Sequence, residues 1–170
     1  NIERREGLQT LKELKSIATV QSIGASTRIE GAKMTNDEVR ALITQNLKVE
    51  KLTERDQQEV LGYFNVLDRI SEHYQDIRIA ENDIKNLHNI LMKYSQKDQW
   101  HKGNYKQQSN SVDANTPEAK FTIFKTTPPG IETEHAMRAL IDWYRNDTST
   151  PPIIKSALFV YDFLSIHPFQ

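Results

Sequence analysis

Between Ile153 and Ile166 only Lys155, Ser156, Asp162 and Ser165 are polar, and this nearly continuous apolar stretch constrains the fold more than any other feature of the chain. Thr150 as N-cap and Pro151 at the first helical position would start a helix there. A helix apolar on nearly all sides belongs at the centre of a domain, with the other elements packed around it. The stretch is too short to span a bilayer and it carries Lys155 and Asp162, so it is not read as a transmembrane segment.

A length of 170 residues suits a single core. With 37% hydrophobic and 26% charged residues the chain is a folded, water-soluble domain by composition, although a mean hydropathy of -0.66 is polar for one. Lys and Arg number 22 against 23 Asp and Glu, a formal charge of -1, so no overall field draws the protein to nucleic acid or an anionic membrane. The absence of cysteine excludes disulfide scaffolds, thiolate zinc sites and cysteine nucleophiles. The N-terminus, Asn1-Ile2-Glu3-Arg4-Arg5, has neither an initiator Met nor a following apolar region, which leads us to expect a piece of something longer.

The rest of the chain reads as helix with one exception. Leu8, Leu11, Leu14 and Ala18 begin a first helix that continues to about Ile29 and stops at Gly31. Thr35 or Asn36, with Glu38 following, caps a short second helix to about Gln45. Thr53 caps a third along Val60, Phe64, Leu67, Ile70 and Tyr74, and Asn82 or Asp83 caps a fourth along Ile84, Leu87, Leu91 and Tyr94. A fifth, along Met137, Leu140, Ile141 and Tyr144, follows the Pro128-Pro129-Gly130 break. The exception is Phe121 to Phe124, a strand that pairs with Ser109 to Val112 across a turn at 113–117 as a small exposed hairpin. The fold class is therefore an all-α bundle around a buried central helix, with a small β-hairpin.

His167 follows the apolar helix and precedes Pro168, so the helix should end at about Ile166 and present His167 on a loop. A neutral imidazole suits a general base near pH 7. Position alone favours a terminal histidine without a role. The other histidines, His73, His88, His101 and His135, lack metal-ligand spacing, and His88, one turn from Ile84, reads as a packed or half-exposed helix residue. No phosphate-cradling Gly-rich loop occurs.

Three segments together carry a family resemblance. Ser165-Ile166-His167-Pro168-Phe169 resembles the opening of the Fic-family signature, His-Pro-Phe-x-x-Gly-Asn-Gly-Arg. Ser26-Thr27-Arg28-Ile29-Glu30-Gly31 resembles the family's inhibitory-helix motif, with Ser26 and Glu30 on one helix face. Glu30 in the last turn would oppose the macrodipole by roughly 0.3 to 1 kcal/mol, which suits a carboxylate partnered by an external cation. Gly103-Asn104-Tyr105-Lys106 resembles a Gly-x-Tyr-Arg stretch, with Lys106 keeping the charge but losing the planar fork, and the strand, the proline pair and the fifth helix follow in the family's order.

The resemblance implies a single incomplete Fic-like domain over 1–170: an N-terminal segment, 1–52, with the inhibitory helix, then a core, flap and motif start over 53–170. It implies transfer of AMP from ATP, with Mg²⁺ on the phosphates, to a hydroxyl of a target protein. In that scheme His167 is the base, Pro168 and Phe169 anchor the motif, and Ser26, Glu30 and Gly31 form the inhibitory element. Phe121, Thr122, Ile123 and Phe124 belong to the flap that aligns an extended stretch of the target by strand addition. No metal ligand is expected within these residues. The Gly-Asn-Gly-Arg half would lie beyond Gln170 and would supply the phosphate and metal ligands.

Partners are expected to be the target protein and ATP, with neither nucleic acid nor membrane, and the location cytoplasmic. Self-association stays open. So do two other functions: removal of AMP or transfer of a different phosphate-containing group, and a non-catalytic helical interaction module.

Overall fold

The protein, seen in a computed structural model, is described over residues 2–44, 54–96, 99–115 and 120–170. Six α-helices are described, α1 (Ile2–Ile29), α2 (Asn36–Thr44), α3 (Arg55–His73), α4 (Glu81–Leu91), α5 (Ile131–Asn146) and α6 (Pro152–Ile166), together with a single 3-10 turn (Gln99–His101) and strands β1 (Ser111–Asn115) and β2 (Lys120–Lys125). The chain divides into two compact units, residues 1–76 with 89–99 and residues 77–88 with 100–170.

In the first unit, α1 stops where the sequence places a glycine. Gly31 adopts φ 101°, a left-handed conformation that costs a Cβ-bearing residue energy, and the turn it makes returns two amides to the helix. Gly31 N–H donates to Arg28 C=O at 3.1 Å and Ala32 N–H to Thr27 C=O at 3.0 Å. The second helix starts on the expected reciprocal cap. Thr35 N–H donates to the Glu38 carboxylate at 2.7 Å, Thr35 Oγ1 donates to it at 2.8 Å and Glu38 N–H donates to Thr35 Oγ1 at 3.3 Å; the two bonds that the carboxylate accepts hold the Glu38 carboxyl below its ordinary range. Val20 and Ile23 of α1, Val39 and Leu42 of α2 and Val60 of α3 form the buried core of this unit. Gln45 and Thr53, expected at the end of α2 and the start of α3, lie outside the described residues.

The second unit buries Tyr105, Met137, Leu140, Ile141 and Ile166. Its hairpin is antiparallel, with Val112 opposite Phe124 and Ala114 opposite Phe121, and an irregularity between Val112 and Asp113. The first strand thus runs two residues later at its start than the sequence suggests and extends into the stretch read as turn. Helix α4 begins at Glu81, ahead of both expected caps, and Asp83 instead accepts a hydrogen bond from Arg78 N–H at 3.0 Å, tying down the loop before the helix.

Helix α6 departs from expectation in two ways. It starts at Pro152 with Pro151 as the N-cap at φ -55° and ψ 139°, because a residue that precedes proline is driven out of the helical region. No side chain caps the helix, Thr150 included; Asp147 Oδ1 instead holds the turn before it, accepting from Ser149 N–H at 2.9 Å and from Thr150 N–H at 3.3 Å. The second departure is exposure. Ile153 is 82% and Tyr161 70% exposed, and Ile166 is the one buried hydrophobic residue of the helix. Burying a helix on all sides needs neighbours on all sides. Among the described elements α6 packs on α5, and its remaining faces stay accessible.

A close approach in the first unit leads to a stability test. A Cβ built on Gly62 of α3 would lie 1.9 Å from the carbonyl oxygen of Leu91, closer than any real contact, so the glycine is required by the packing of that backbone. Gly62→Ala should destabilise the protein by about 1 to 3 kcal/mol as the two segments separate, in spite of alanine's higher helix propensity. Chemical denaturation measures the difference.

Candidate functional site

His167 is set by the end of α6. The helix runs to Ile166, as expected, but His167 does not continue in the extended conformation that a following proline favours. It adopts φ 49° and ψ 63°, the left-handed region, and is the one non-glycine residue with positive φ among those described. Such a conformation costs of order 1 to 3 kcal/mol and persists where surrounding contacts over-determine it.

Those contacts are explicit. His167 N–H donates to Phe163 C=O at 2.9 Å, closing the last turn of the helix. The next four carbonyls are held by one segment, residues 106–110. Lys106 Nζ donates to Ile166 C=O at 2.9 Å and Lys106 N–H to Pro168 C=O at 2.8 Å. Asn110 Nδ2 donates to His167 C=O at 3.4 Å and to Phe169 C=O at 3.1 Å. Every carbonyl from 166 to 169 therefore has a donor, although the helix itself could satisfy none of them.

The Lys106 ammonium is fully buried, and its two other donors go to Asn110 Oδ1 and Thr126 Oγ1, both at 2.8 Å. Thr126 Oγ1 in turn donates to Asn110 C=O at 2.9 Å and lies in a very short contact with Asn110 Oδ1. An ammonium group has three donors, so Lys106 is saturated and cannot also grip a ligand. Burial lowers the Lys106 pKa.

Beyond the loop, Pro168 is fully buried and Phe169 half-buried. The Phe169 ring stacks on His88 with centroids 4.0 Å apart and planes 9° from parallel, and it also meets Tyr105 and Phe163. His88 is buried, and its Nδ1 accepts a hydrogen bond from Gly103 N–H at 3.0 Å, which requires that nitrogen to be unprotonated. Burial, reinforced by the nearby His101, pushes the imidazole down to about 4. The imidazole of His167, by contrast, is exposed.

Of the flap residues, the backbone of Phe121, Thr122, Ile123 and Phe124 lies in β2, and the side chains of Thr122 and Phe124 are exposed. An open cleft of about 500 Å³ runs from Phe124 to Leu140 and Trp143 of α5 and to Asp162, Ser165 and Ile166 of α6. It adjoins the strand and the turn that carries His167.

Ser26, Glu30 and Gly31 gather at the end of α1 in the other unit. Tyr63 Oη donates to Ser26 Oγ at 3.0 Å. Arg28 points its guanidinium at Met34 C=O and Asn36 Oδ1, at 3.0 and 3.1 Å. Glu30 is exposed just past the last helical residue.

No group of three or more His, Asp or Glu side chains that could hold a metal occurs among the described residues. What the groups gathered around His167 form is an exposed histidine on a turn whose carbonyls are all bonded.

The Fic/DOC family profile matches residues 78–170, over half of the chain and nearly all of the second unit. The chain belongs to the Fic/DOC family. Two solved structures show the Fic fold. A Fic domain containing signaling protein from Bacteroides thetaiotaomicron VPI-5482 is similar with a TM-score of 0.74 at 24% identity, over 95% of this chain and 59% of that one. Fic-1 from C. elegans is similar with a TM-score of 0.63 at 17% identity, over 99% of this chain and 55% of that one. The present Fic chain thus spans less than two thirds of either structure, and at these identities the likeness establishes the all-α fold alone. No curated protein matches the chain.

The match contains the His-Pro-Phe segment and the hairpin, whereas Ser26, Glu30 and Gly31 precede it. Sequence reasoning did not find Asn110 or Thr126, and it valued Lys106 only for its likeness to arginine. No local signal marks these three as one cluster, because lysine, asparagine and threonine are ordinary surface residues. His88 was legible as a packed helix residue, but its ring stack on Phe169 was not.

The His88 environment has a consequence for stability. Its pKa is lower in the folded protein than the value of about 6.5 expected when unfolded, so protonation favours unfolding. The stabilisation is complete above pH 6.5 and is lost as the pH falls toward 4. The wild type should lose on the order of 1 to 2 kcal/mol at pH 5 through this group. His88→Gln, which does not titrate, should show a correspondingly flatter dependence in denaturation measured from pH 7.5 to 4.5.

Proposed function

We propose that this Fic protein transfers AMP from ATP to a hydroxyl side chain of a target protein. Family membership supports the general chemistry, transfer of AMP or a related phosphate-containing group. The single observation that carries the narrower reading is the exposed His167 imidazole, presented on a turn whose four carbonyls are all tied to residues 106–110.

The target hydroxyl oxygen attacks the α-phosphorus of ATP, a P–O bond forms as the bond to pyrophosphate breaks, and the hydroxyl proton passes to His167. A base aimed by a rigid turn contributes through orientation as well as proton transfer. Pro168 and Phe169, buried and stacked, anchor the turn. When bound, Mg²⁺ would neutralise charge on the phosphates, and it is not the His167 turn that would hold it.

The target would lie along β2. An extended segment adding to the strand uses main-chain hydrogen bonds for affinity, and the adjoining cleft would take one of its side chains. The location we propose is the cytoplasm; no helix among the described residues is long and apolar enough to cross a membrane.

Replacement of His167 separates the base from a merely structural residue. His167→Ala in the intact protein should reduce AMP transfer at least a hundredfold, at the low end of what a general base contributes, while ATP binding changes little. Transfer of label from α-labelled ATP and calorimetric titration with ATP measure the two. Equal loss of both points to a structural role, and unchanged transfer removes His167 from the mechanism.

Glu30 is proposed as the inhibitory group. Its carboxylate would engage the cation that otherwise holds the ATP γ-phosphate, leaving ATP in a pose unsuited to attack. Glu30→Gly in the intact protein should raise self-modification or target modification tenfold or more, the scale of losing a charge-assisted bond of about 1.5 to 3 kcal/mol. A fall in transfer would oppose inhibition. Faster release of AMP by the wild type from a modified target, lost in Glu30→Gly, would favour AMP removal with the carboxylate positioning water.

A further inference from the structure

A fully buried lysine with no carboxylate partner among the described residues needs explaining. Burying an ammonium is costly unless its donors are paired, and Lys106 pairs all three with neutral oxygens, Asn110 Oδ1, Thr126 Oγ1 and the carbonyl of Ile166. One of these partners is special. Ile166 is the last residue of α6, so the ammonium sits where the helix macrodipole is negative, and a cation there is favoured.

The same residue acts twice. Its ammonium takes the carbonyl before His167, and its own amide takes the carbonyl after it, that of Pro168. Asn110, oriented by the ammonium through its Oδ1, directs its Nδ2 to the remaining two carbonyls, of His167 and Phe169. A left-handed backbone at a non-glycine residue persists only where its surroundings impose it, and these four bonds are the surroundings. Without the cation, the end of α6 would lose its donor and Asn110 its orienting partner.

We infer that Lys106, acting through Asn110, is a positioning residue for His167: the buried ammonium locks the turn in its left-handed conformation and so aims the imidazole. Lys106 touches no substrate, since its donors are all used within the protein. The inference rests on the reading of His167 as the base, and it predicts a kinetic signature distinct from that of a phosphate ligand. Losing the lock misdirects the base without weakening ATP.

The test uses the intact protein with Lys106→Met, Lys106→Arg and Asn110→Ala. Lys106→Met should lower kcat for AMP transfer ten- to a hundredfold, the scale expected of an orientation error near 1 Å, with KM for ATP within twofold of wild type. Lys106→Arg restores a donor cation and should keep kcat within threefold. Asn110→Ala leaves the lysine in place, so it serves even if Lys106→Met does not fold, and it should lower kcat by tenfold with the same unchanged KM. Wild-type kcat in Asn110→Ala, a tenfold rise in KM for ATP in either variant, or failure of arginine to rescue would overturn the positioning role.

Crystal structures of the same proteins separate this inference from the proposed activity. If the wild type transfers no AMP, the functional reading fails, yet His167 should still leave the positive-φ region in Asn110→Ala or Lys106→Met and keep it in Lys106→Arg. A left-handed His167 in every variant that folds would overturn the lock whatever the activity.

Discussion

The interaction on which the rest of the second unit depends is the bond from the buried Lys106 ammonium to the last carbonyl of α6. A helix ends with carbonyls that its own backbone cannot satisfy, and a long apolar helix leaves few polar side chains nearby to do so. Here a cation from a loop 60 residues earlier in sequence enters that end. Because the ammonium is shared with Asn110 and Thr126, capping the helix also ties the start of the hairpin to its end, Thr126 following directly on β2.

The arrangement couples two demands that would otherwise conflict. The turn after α6 must be rigid enough to hold His167 in a left-handed backbone, yet the imidazole must be open to solvent. Rigidity comes from the main chain and from the residues that follow: the carbonyls are bonded, Pro168 is buried and Phe169 is stacked on His88. None of these contacts uses the His167 ring, and the residue stays exposed. His88 contributes through its neutral form, with one face against Phe169 and Nδ1 accepting from Gly103, so the stretch before Lys106 is drawn into the same scaffold.

The reach of local reasoning is visible element by element. Thr35 and Glu38 form the expected cap, and Gly31 ends α1, because both depend on bonds between residues a few positions apart. The hairpin was visible from β-favouring residues, but its register was not, since pairing depends on which bonds the two strands share. The start of α6 was misplaced by one residue because Pro152 excludes Pro151 from the helix. Its burial was overstated for a different reason: an apolar sequence reports a preference for leaving water, and only neighbouring elements can fulfil it.

The sequence by itself determined the helical class of the chain, the end of its last helix at Ile166 and the placement of His167, Pro168 and Phe169 at that exit, all of which follow from side-chain periodicity and the steric demands of proline. Tertiary structure alone decided that His167 would be left-handed rather than extended and that Lys106 would be buried. Both require Lys106 and Asn110 to meet residues 166 to 169 across a long sequence separation. Local rules weigh a residue against its immediate neighbours. They cannot anticipate an ammonium whose desolvation is offset by three oxygens that only the folded chain brings together.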